Sequence, residues 1–254
     1  MDSHSKGKSI TFFMLIFVLI AASFASASSR RELETTQREL GNFQSLRINS
    51  KSVSIETFRS AGSARLEATL DSRRKLTVSE RGNDVIIEVS QVRRVSLRGG
   101  RENIVLYIPN GKDVVLQAGS GSIKVEGLMF SELEVDVGSG SVDIDQCSGP
   151  TTIDVGSGSI RLNDVEGSFD VSTGSGSTKG EGIKLTNDSS FRAGSGSIEL
   201  SILNTEDELA FDLDAGSGSI RVNDIRGADR VVVGSGNIEV TGRTGSGSQR
   251  YETR

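Results

Sequence analysis

The feature that most constrains this chain is a tripeptide, Gly-Ser-Gly, that keeps returning. It starts at Gly119, Gly138, Gly156, Gly174, Gly194, Gly216, Gly234 and Gly245, at spacings of 19, 18, 18, 20, 22, 18 and 11 residues. Self-similarity at a near-constant period of about twenty residues is the signature of a stacked repeat architecture. The first seven copies read as one unit of 18–22 residues, and the last as a truncated echo near the end of the chain.

Residues counted outward from each first glycine fall into columns. Three positions before it stand Leu116, Val135, Ile153, Val171, Phe191, Leu213 and Val231. Four positions after it stand Ile123, Val142, Ile160, Thr178, Ile198, Ile220 and Ile238. The residues one before and six after are mostly small or aliphatic as well, and polar residues such as Glu134, Asp136, Asp143, Asp154 and Arg161 alternate with them. Alternation with period two is a strand with one buried face. β-branched residues fit a pleated buried surface.

Each unit therefore reads as strand, tight corner, strand. The corner glycines are Gly119 and Gly121, Gly138 and Gly140, Gly156 and Gly158, Gly174 and Gly176, Gly194 and Gly196, Gly216 and Gly218, and Gly234 and Gly236. Glycine tolerates unusual backbone angles without steric cost, and serine satisfies local backbone groups. A second corner is marked by Gly149, Gly167 and Gly227. A single unit cannot bury its apolar side, but units stacked about 4.8 Å apart build a continuous core. The expected fold is all-β: a single-stranded parallel β-solenoid, or β-helix. Cys147, the only cysteine, falls in the column of Leu128, Val165, Ile183 and Ile225 and reads as a small buried hydrophobe.

The rest of the chain divides around this array. Residues 1–27 have the form of a secretory signal: Lys6 and Lys8, an apolar run from Ile10 to Ala22, then Ala25-Ser26-Ala27 as a small-x-small cleavage pattern. Residues 28–42 read as a polar linker or short helix. Residues 43–110 hold strand-like runs without the Gly-Ser-Gly corner, the last two at Val95–Leu97 and Ile104–Ile108, and read as irregular rungs or a cap. Residues 111–243 are the regular array, and residues 244–254 a polar tail. The expected location is outside the cytoplasm: periplasmic, cell-surface or secreted.

Composition removes several function classes. Without residues 1–27, which hold His4, Lys6, Lys8 and Asp2, the net charge moves from −5 to about −6 and no histidine remains. An acidic chain without tryptophan is poorly suited to nucleic acid, which needs clustered Lys and Arg. Ser-His-Asp and Cys-His catalysis have no histidine to use, and one cysteine builds no disulfide framework. Asp136, Asp154, Asp164, Asp214 and Asp224 lack the nine-residue pattern of calcium β-rolls and read as solvated outward positions. A strand follows each Gly-Ser-Gly-Ser, where a phosphate-binding loop needs a helix N-terminus. No metal, no cofactor and no second membrane span is expected.

Ile104-Val105-Leu106-Tyr107-Ile108-Pro109, followed by Val114 to Ile123 with its Gly119-Ser120-Gly121-Ser122, resembles the adhesin-like family of β-strand-repeat proteins that includes auto-transporter adhesin heads. The resemblance runs from about Phe43 to Val240. It implies a strand-repeat fold and an exported or envelope protein, and it brings no catalytic motif.

Two irregularities in the period mark possible binding loops, since insertions in repeat arrays gather on one side. One spans Lys179 to Ser190 and offers Lys179, Glu181 and Asn187. The other, Asn204 to Glu208, offers Glu206, Asp207 and Glu208. The function expected from these observations is non-enzymatic: an adhesin-like or envelope module that meets a glycan, a wall polymer or a surface protein along an extended face. Two other readings stay open, an envelope-stress or assembly scaffold and a glycan-active β-helix lyase or hydrolase. Self-association through the open ends of the array is a further expectation.

Overall fold

The computed structural model describes residues 33–91 and 101–254. Among the described residues there is no α-helix, and no helix long and apolar enough to cross a membrane. In chain order the strands are β1 (Leu33–Leu40), β2 (Ser45–Asn49), β3 (Ser54–Arg59), β4 (Ala64–Asp71), β5 (Arg74–Arg81), β6 (Asp84–Gln91) and β7 (Asn103–Ile108). The repeat region adds β8 (Lys112–Ala118), β9 (Ile123–Glu126), β10 (Phe130–Val137), β11 (Val142–Asp145), β12 (Thr151–Val155), β13 (Ile160–Asn163), β14 (Glu166–Gly167), β15 (Phe169–Thr173), β16 (Thr178–Leu185), β17 (Ser189–Ala193) and β18 (Ile198–Ile202). After a 3-10 turn at Glu206–Glu208 come β19 (Leu209–Ala215), β20 (Ile220–Val222), β21 (Ile225–Gly227), β22 (Arg230–Gly234), β23 (Ile238–Thr244) and β24 (Gln249–Glu252).

Each Gly-Ser-Gly corner carries the chain from one sheet to the other. The strands that follow a corner, β9, β11, β13, β16 and β18, lie side by side in sheet A. Those that precede it, β8, β10, β12, β15 and β17, lie side by side in sheet B. Neighbouring rungs pair in parallel and in repeat register: Leu116, Val135, Ile153 and Val171 align in sheet B, and Val125, Ile144 and Leu162 in sheet A. These columns are fully buried, and both sheets contribute to one hydrophobic cluster. A third, narrow ladder runs through Met129, Ser148 and Glu166, and β14 continues it to β16. Period-two patterning in sequence thus becomes columnar packing, since identical rungs present identical inner faces.

Spatial order departs from chain order at both ends. The C-terminal pair β23 and β24 does not add to the end of the stack. β23 lies between β17 and β19, and β24 lies between β18 and β20. At the other end β2 lies between β6 and β8, and β3 between β7 and β9. The outermost rungs are closed by antiparallel strands. β4 pairs with β7 and β1 with β4, while β5 pairs with β6; at the far end β21 pairs with β20 and β22 with β19. Parallel stacking therefore fills the middle and antiparallel strands finish both ends, which limits the open edges a stack would otherwise present.

Several expectations need correction. Gly245, read as a truncated echo, is a full corner: a β-carbon on it would meet the carbonyl of Gly194, and one on Gly216 would meet the carbonyl of Gly245. The corner column accordingly runs Gly119, Gly138, Gly156, Gly174, Gly194, Gly245, Gly216. Gly234 and Gly236 carry the motif but are not corners; they end β22 and lead into β23. Residues 244–254 are not a tail, since β24 is an internal strand with Tyr251 fully buried. Residues 33–40 form strand β1 rather than a helix or linker, because they pair along β4 without burying a face. The described residues of 43–110 resolve into two rungs plus antiparallel capping strands. The signal segment 1–27 and Val95–Leu97 lie outside the described residues.

The corner glycines also have a different cause from the one read in the sequence. At the Gly-Ser-Gly corners φ is not in the left-handed region, whereas Gly149 and Gly167 of the second corner have φ 127° and 156°. The Gly-Ser-Gly glycines are needed because successive corners stack backbone on backbone: a β-carbon on Gly138 would stand 2.5 Å from the Gly119 oxygen. The following serines bind corner to corner, as where Ser141 N–H donates to Ser122 Oγ at 3.3 Å and Ser197 N–H to Ser177 Oγ at 3.2 Å.

Candidate binding face

The outward side of sheet A is a flat array of side chains in rows, one residue per rung. One row runs Lys124, Asp143, Arg161, Lys179, Glu199, Arg250. The next runs Tyr107, Phe58, Glu126, Asp145, Asn163, Glu181. Strand alternation directs these residues outward while their neighbours fill the core.

Charges of both signs pair on this face. Lys124 meets Glu126 at 2.7 Å, Lys179 meets Glu181 at 2.7 Å, Arg250 meets Glu252 at 2.5 Å and Arg65 meets Glu67 at 3.1 Å. The hydrogen bond donated by Lys179 holds the Glu181 carboxyl below its ordinary range, and donation to Glu126 raises the Lys124 ammonium. The pairs are solvent-exposed, so each contributes little to stability. Around Lys179, Glu181, Glu199 and Arg250 the face dips into a shallow concavity of about 300 Å³. Gly180 lies at its floor, and strand β16 bulges between Gly180 and Ile183 against β18.

Near the N-terminal end the same face carries an aromatic stack. The rings of Phe58 and Tyr107 lie 5.8 Å apart at an interplanar angle of 30°. The Arg65 guanidinium sits 4.5 Å from the Tyr107 centroid, and the Lys124 ammonium 5.5 Å from the Phe58 centroid. Phe43, Phe130, Phe169, Phe191, Phe211 and Tyr251 are all buried. Phe58 and Tyr107 are therefore the outward aromatics among the described residues. Sequence reading missed them, because β3 and β7 are joined only by pairing; the outward phase of each strand was the one available signal.

Sheet B presents a different exterior. The outward positions of β8, β10, β12 and β15 hold Asp113, Glu132, Glu134, Asp136, Asp154 and Asp170 and no Lys or Arg. Asp136 and Asp154 are neighbours, but Asp164 sits in the turn after β13 with φ 48°, and Asp224 lies between β20 and β21. The five aspartates do not form one ladder. Among the described residues no group of His, Cys, Asp and Glu is arranged to hold a metal ion.

The two expected binding loops meet, Lys184 of the first pairing with Glu208 of the second and Leu185 N–H donating to Asn204 Oδ1 at 2.8 Å, but the singled-out residues are spread over different places. Lys179 and Glu181 belong to the sheet A face. Asn187 is exposed in the turn before β17, where Asp188 accepts the Glu239 N–H at 2.8 Å. Glu206, Asp207 and Glu208 form the 3-10 turn, whose acids have partners within the fold. Glu206 accepts from Asn223, Glu208 accepts the Thr205 N–H at 2.9 Å and pairs with Lys184 at 3.4 Å, and Thr205 holds Asp207 below its ordinary range. This second insertion is a latch joining Thr205, Lys184 and Asn223.

Cys147 is buried, with Sγ donating to the Asp145 carbonyl at 3.1 Å, and desolvation pushes its thiol up to about 11.

Comparison with solved structures places this architecture among crystal structures of bacterial proteins. A putative adhesin from Bacteroides fragilis matches at 14% identity, covering 87% of this chain and 97% of its own, with a TM-score of 0.50. A putative lipid binding protein from Parabacteroides distasonis matches at 14% identity over 86% of this chain and 96% of its own, with a TM-score of 0.48. A putative cell adhesion protein from Clostridium sporogenes matches at 13% identity over 88% of this chain and all of its own, with a TM-score of 0.39. No curated protein matches this chain. The sequence profile of Toastrack DUF4097 matches twice, over residues 43–152 and 110–253, which together take in nearly all the described residues. This chain belongs to the Toastrack DUF4097 family.

Proposed function

We propose that the chain is an exported, non-enzymatic binding module, a β-solenoid that meets an extended envelope glycan along the outer face of sheet A. The observation that carries this reading is the pairing of two features on one rigid face: rows of mixed-sign side chains in rung register, and the Phe58–Tyr107 stack at their end. A sugar chain offers hydroxyls around each ring and C–H groups on its faces, and this surface answers both. The exposed ion pairs are weak, so exchanging them for ligand contacts costs little. The sheet fixes the row positions in advance, which limits the ordering cost of binding. Weak contacts repeated along a polymer gain through effective concentration. Carboxylates such as Glu181 are held ionised by their cation partners, a state that suits hydrogen bonding rather than proton donation.

The test is binding of the purified mature chain to a panel of envelope polysaccharides, beside the Phe58→Ala/Tyr107→Ala variant. Saturable binding of the parent, lost in the variant, supports the reading. Binding that the variant retains, or turnover of a bound polysaccharide, overturns it.

A further inference from the structure

The rung formed by β23 and β24 differs from its neighbours in position and in core chemistry. Flanking rungs place Phe191, Ala193, Ile198 and Leu200 on one side and Leu213, Ala215, Ile220 and Val222 on the other. At the same four places this rung carries Gly242, Thr244, Gln249 and Tyr251. Tyr251 is fully buried and its hydroxyl donates to Gln249 Oε1 at 3.0 Å. Gln249 Nε2 donates to the Asp214 carbonyl at 2.6 Å and to Thr244 Oγ1 at 3.2 Å. Gly242 makes the room: a side chain there would collide with the Tyr251 hydroxyl and Gln249. A satisfied polar group inside an apolar stack is suited to specifying one place among similar ones.

The connection to this rung is short. β22 and β23 pair with opposite sides of β19, so they stand two strand spacings apart, about 9.6 Å. Gly234 and Ile238 end nearly level, against Ala210 and Leu209. Ser235, Gly236 and Asn237 bridge them; four residue steps reach roughly 13–14 Å. The rung is thus a segment on a short tether, inserted between two other rungs.

We propose that the place between β17/β18 and β19/β20 is an acceptor for one rung, keyed to Gly242, Thr244, Gln249 and Tyr251, and that a second copy of this chain can fill it with its own C-terminal rung. The inference is independent of what the outer face binds.

The test uses the full mature chain with a protease recognition sequence inserted between Ser235 and Gly236. After folding and cleavage, the C-terminal fragment stays with the body on size exclusion. A labelled peptide of residues 238–254 then replaces it after a brief pulse of urea sufficient to release the fragment. A Tyr251→Ala peptide is taken up at least about tenfold less, as loss of a buried hydrogen-bonded group requires. Failure of the 238–254 peptide to enter, or equal entry of a peptide of residues 189–202, overturns the proposal. A second variant of the full chain deletes Ser235 and Gly236, leaving two steps of about 7 Å, too short for the tether. It is expected to form a dimer by light scattering. A monomer whose C-terminal segment is open to protease overturns exchange between copies.

Discussion

Gly138 packs its Cα against the backbone of Gly119 so closely that a β-carbon would stand 2.5 Å from the Gly119 carbonyl oxygen. The same relation repeats rung by rung, and in the second glycine of each corner the approach is closer still. Gly138→Ala must push two stacked corners apart, at a cost of about 2–3 kcal/mol. Gly62→Ala, where nothing lies within 4 Å, is the control and stays within about 0.5 kcal/mol of the parent. Urea midpoints at equal denaturant slope measure both.

That contact explains what was legible in the sequence. A requirement imposed on every rung leaves a mark on every rung, so the period and the core columns could be read directly. Rung order could not. Gly245 looked truncated because it follows Gly234 by 11 residues instead of about twenty, and Gly234-Ser235-Gly236 copies the motif while serving as a tether. β1 escaped notice because it pairs without burying a face, and burial is what makes alternation visible. On the binding face, the break at Lys179 and Glu181 showed as a longer unit. The stack of Phe58 on Tyr107 arises from pairing between strands almost fifty residues apart and leaves no local trace.

Tyr251 sets an alkaline limit on stability. Burial raises its phenol above the ordinary tyrosine range. Tyrosine in an unfolded chain ionises near pH 10. The folded state therefore holds its proton where the unfolded state releases it. This contribution is fully present below about pH 10 and is lost as pH rises further, by up to about 1.4 kcal/mol per pH unit. Tyr251→Phe removes that slope, and at neutral pH costs about 1 kcal/mol through the donor lost to Gln249. Unfolding curves between pH 8 and 11 test both effects.

Cys147 is expected to be inert in the native protein. Its thiol is pushed up to about 11 by desolvation, so at pH 8 almost none is thiolate, the reactive form. A disulfide reagent at pH 8 should modify it only at the rate of unfolding, and promptly in urea. Stoichiometric native labelling within seconds would contradict its placement in the core column.

The turn at the end of the sheet A strands carries a backbone prediction. Gly127, Gln146, Asp164 and Gly182 occupy it in successive rungs, all with φ between 48° and 73°. Left-handed geometry costs a residue with a β-carbon about 1–2 kcal/mol. Gln146→Gly relieves that strain but loosens the unfolded chain, and should stabilise by up to about 1 kcal/mol. Gly127→Ala should destabilise by about 1 kcal/mol or more. Thermal midpoints of the two variants should move in opposite directions.

The outer face of sheet A separates from the outer face of sheet B by substitution. Phe58 and Tyr107 pack against each other and against Arg65 and Lys124, so removing either ring should cost about 1 kcal/mol of stability. Their loss from a ligand-contacting stack should cost more in binding, at least about tenfold in affinity, since aromatic anchors dominate such surfaces. Glu134→Gln, Asp136→Asn and Asp154→Asn change an exterior that faces the other way and should leave binding to the same polysaccharide unchanged. If the sheet B variants weaken binding and the sheet A variants do not, the ligand lies along the acidic exterior. A partner recognised there would be cationic, because the outward positions of β8, β10, β12 and β15 hold six carboxylates and no Lys or Arg, Asp170 alone of the six being paired at 2.7 Å with Arg192 of β17.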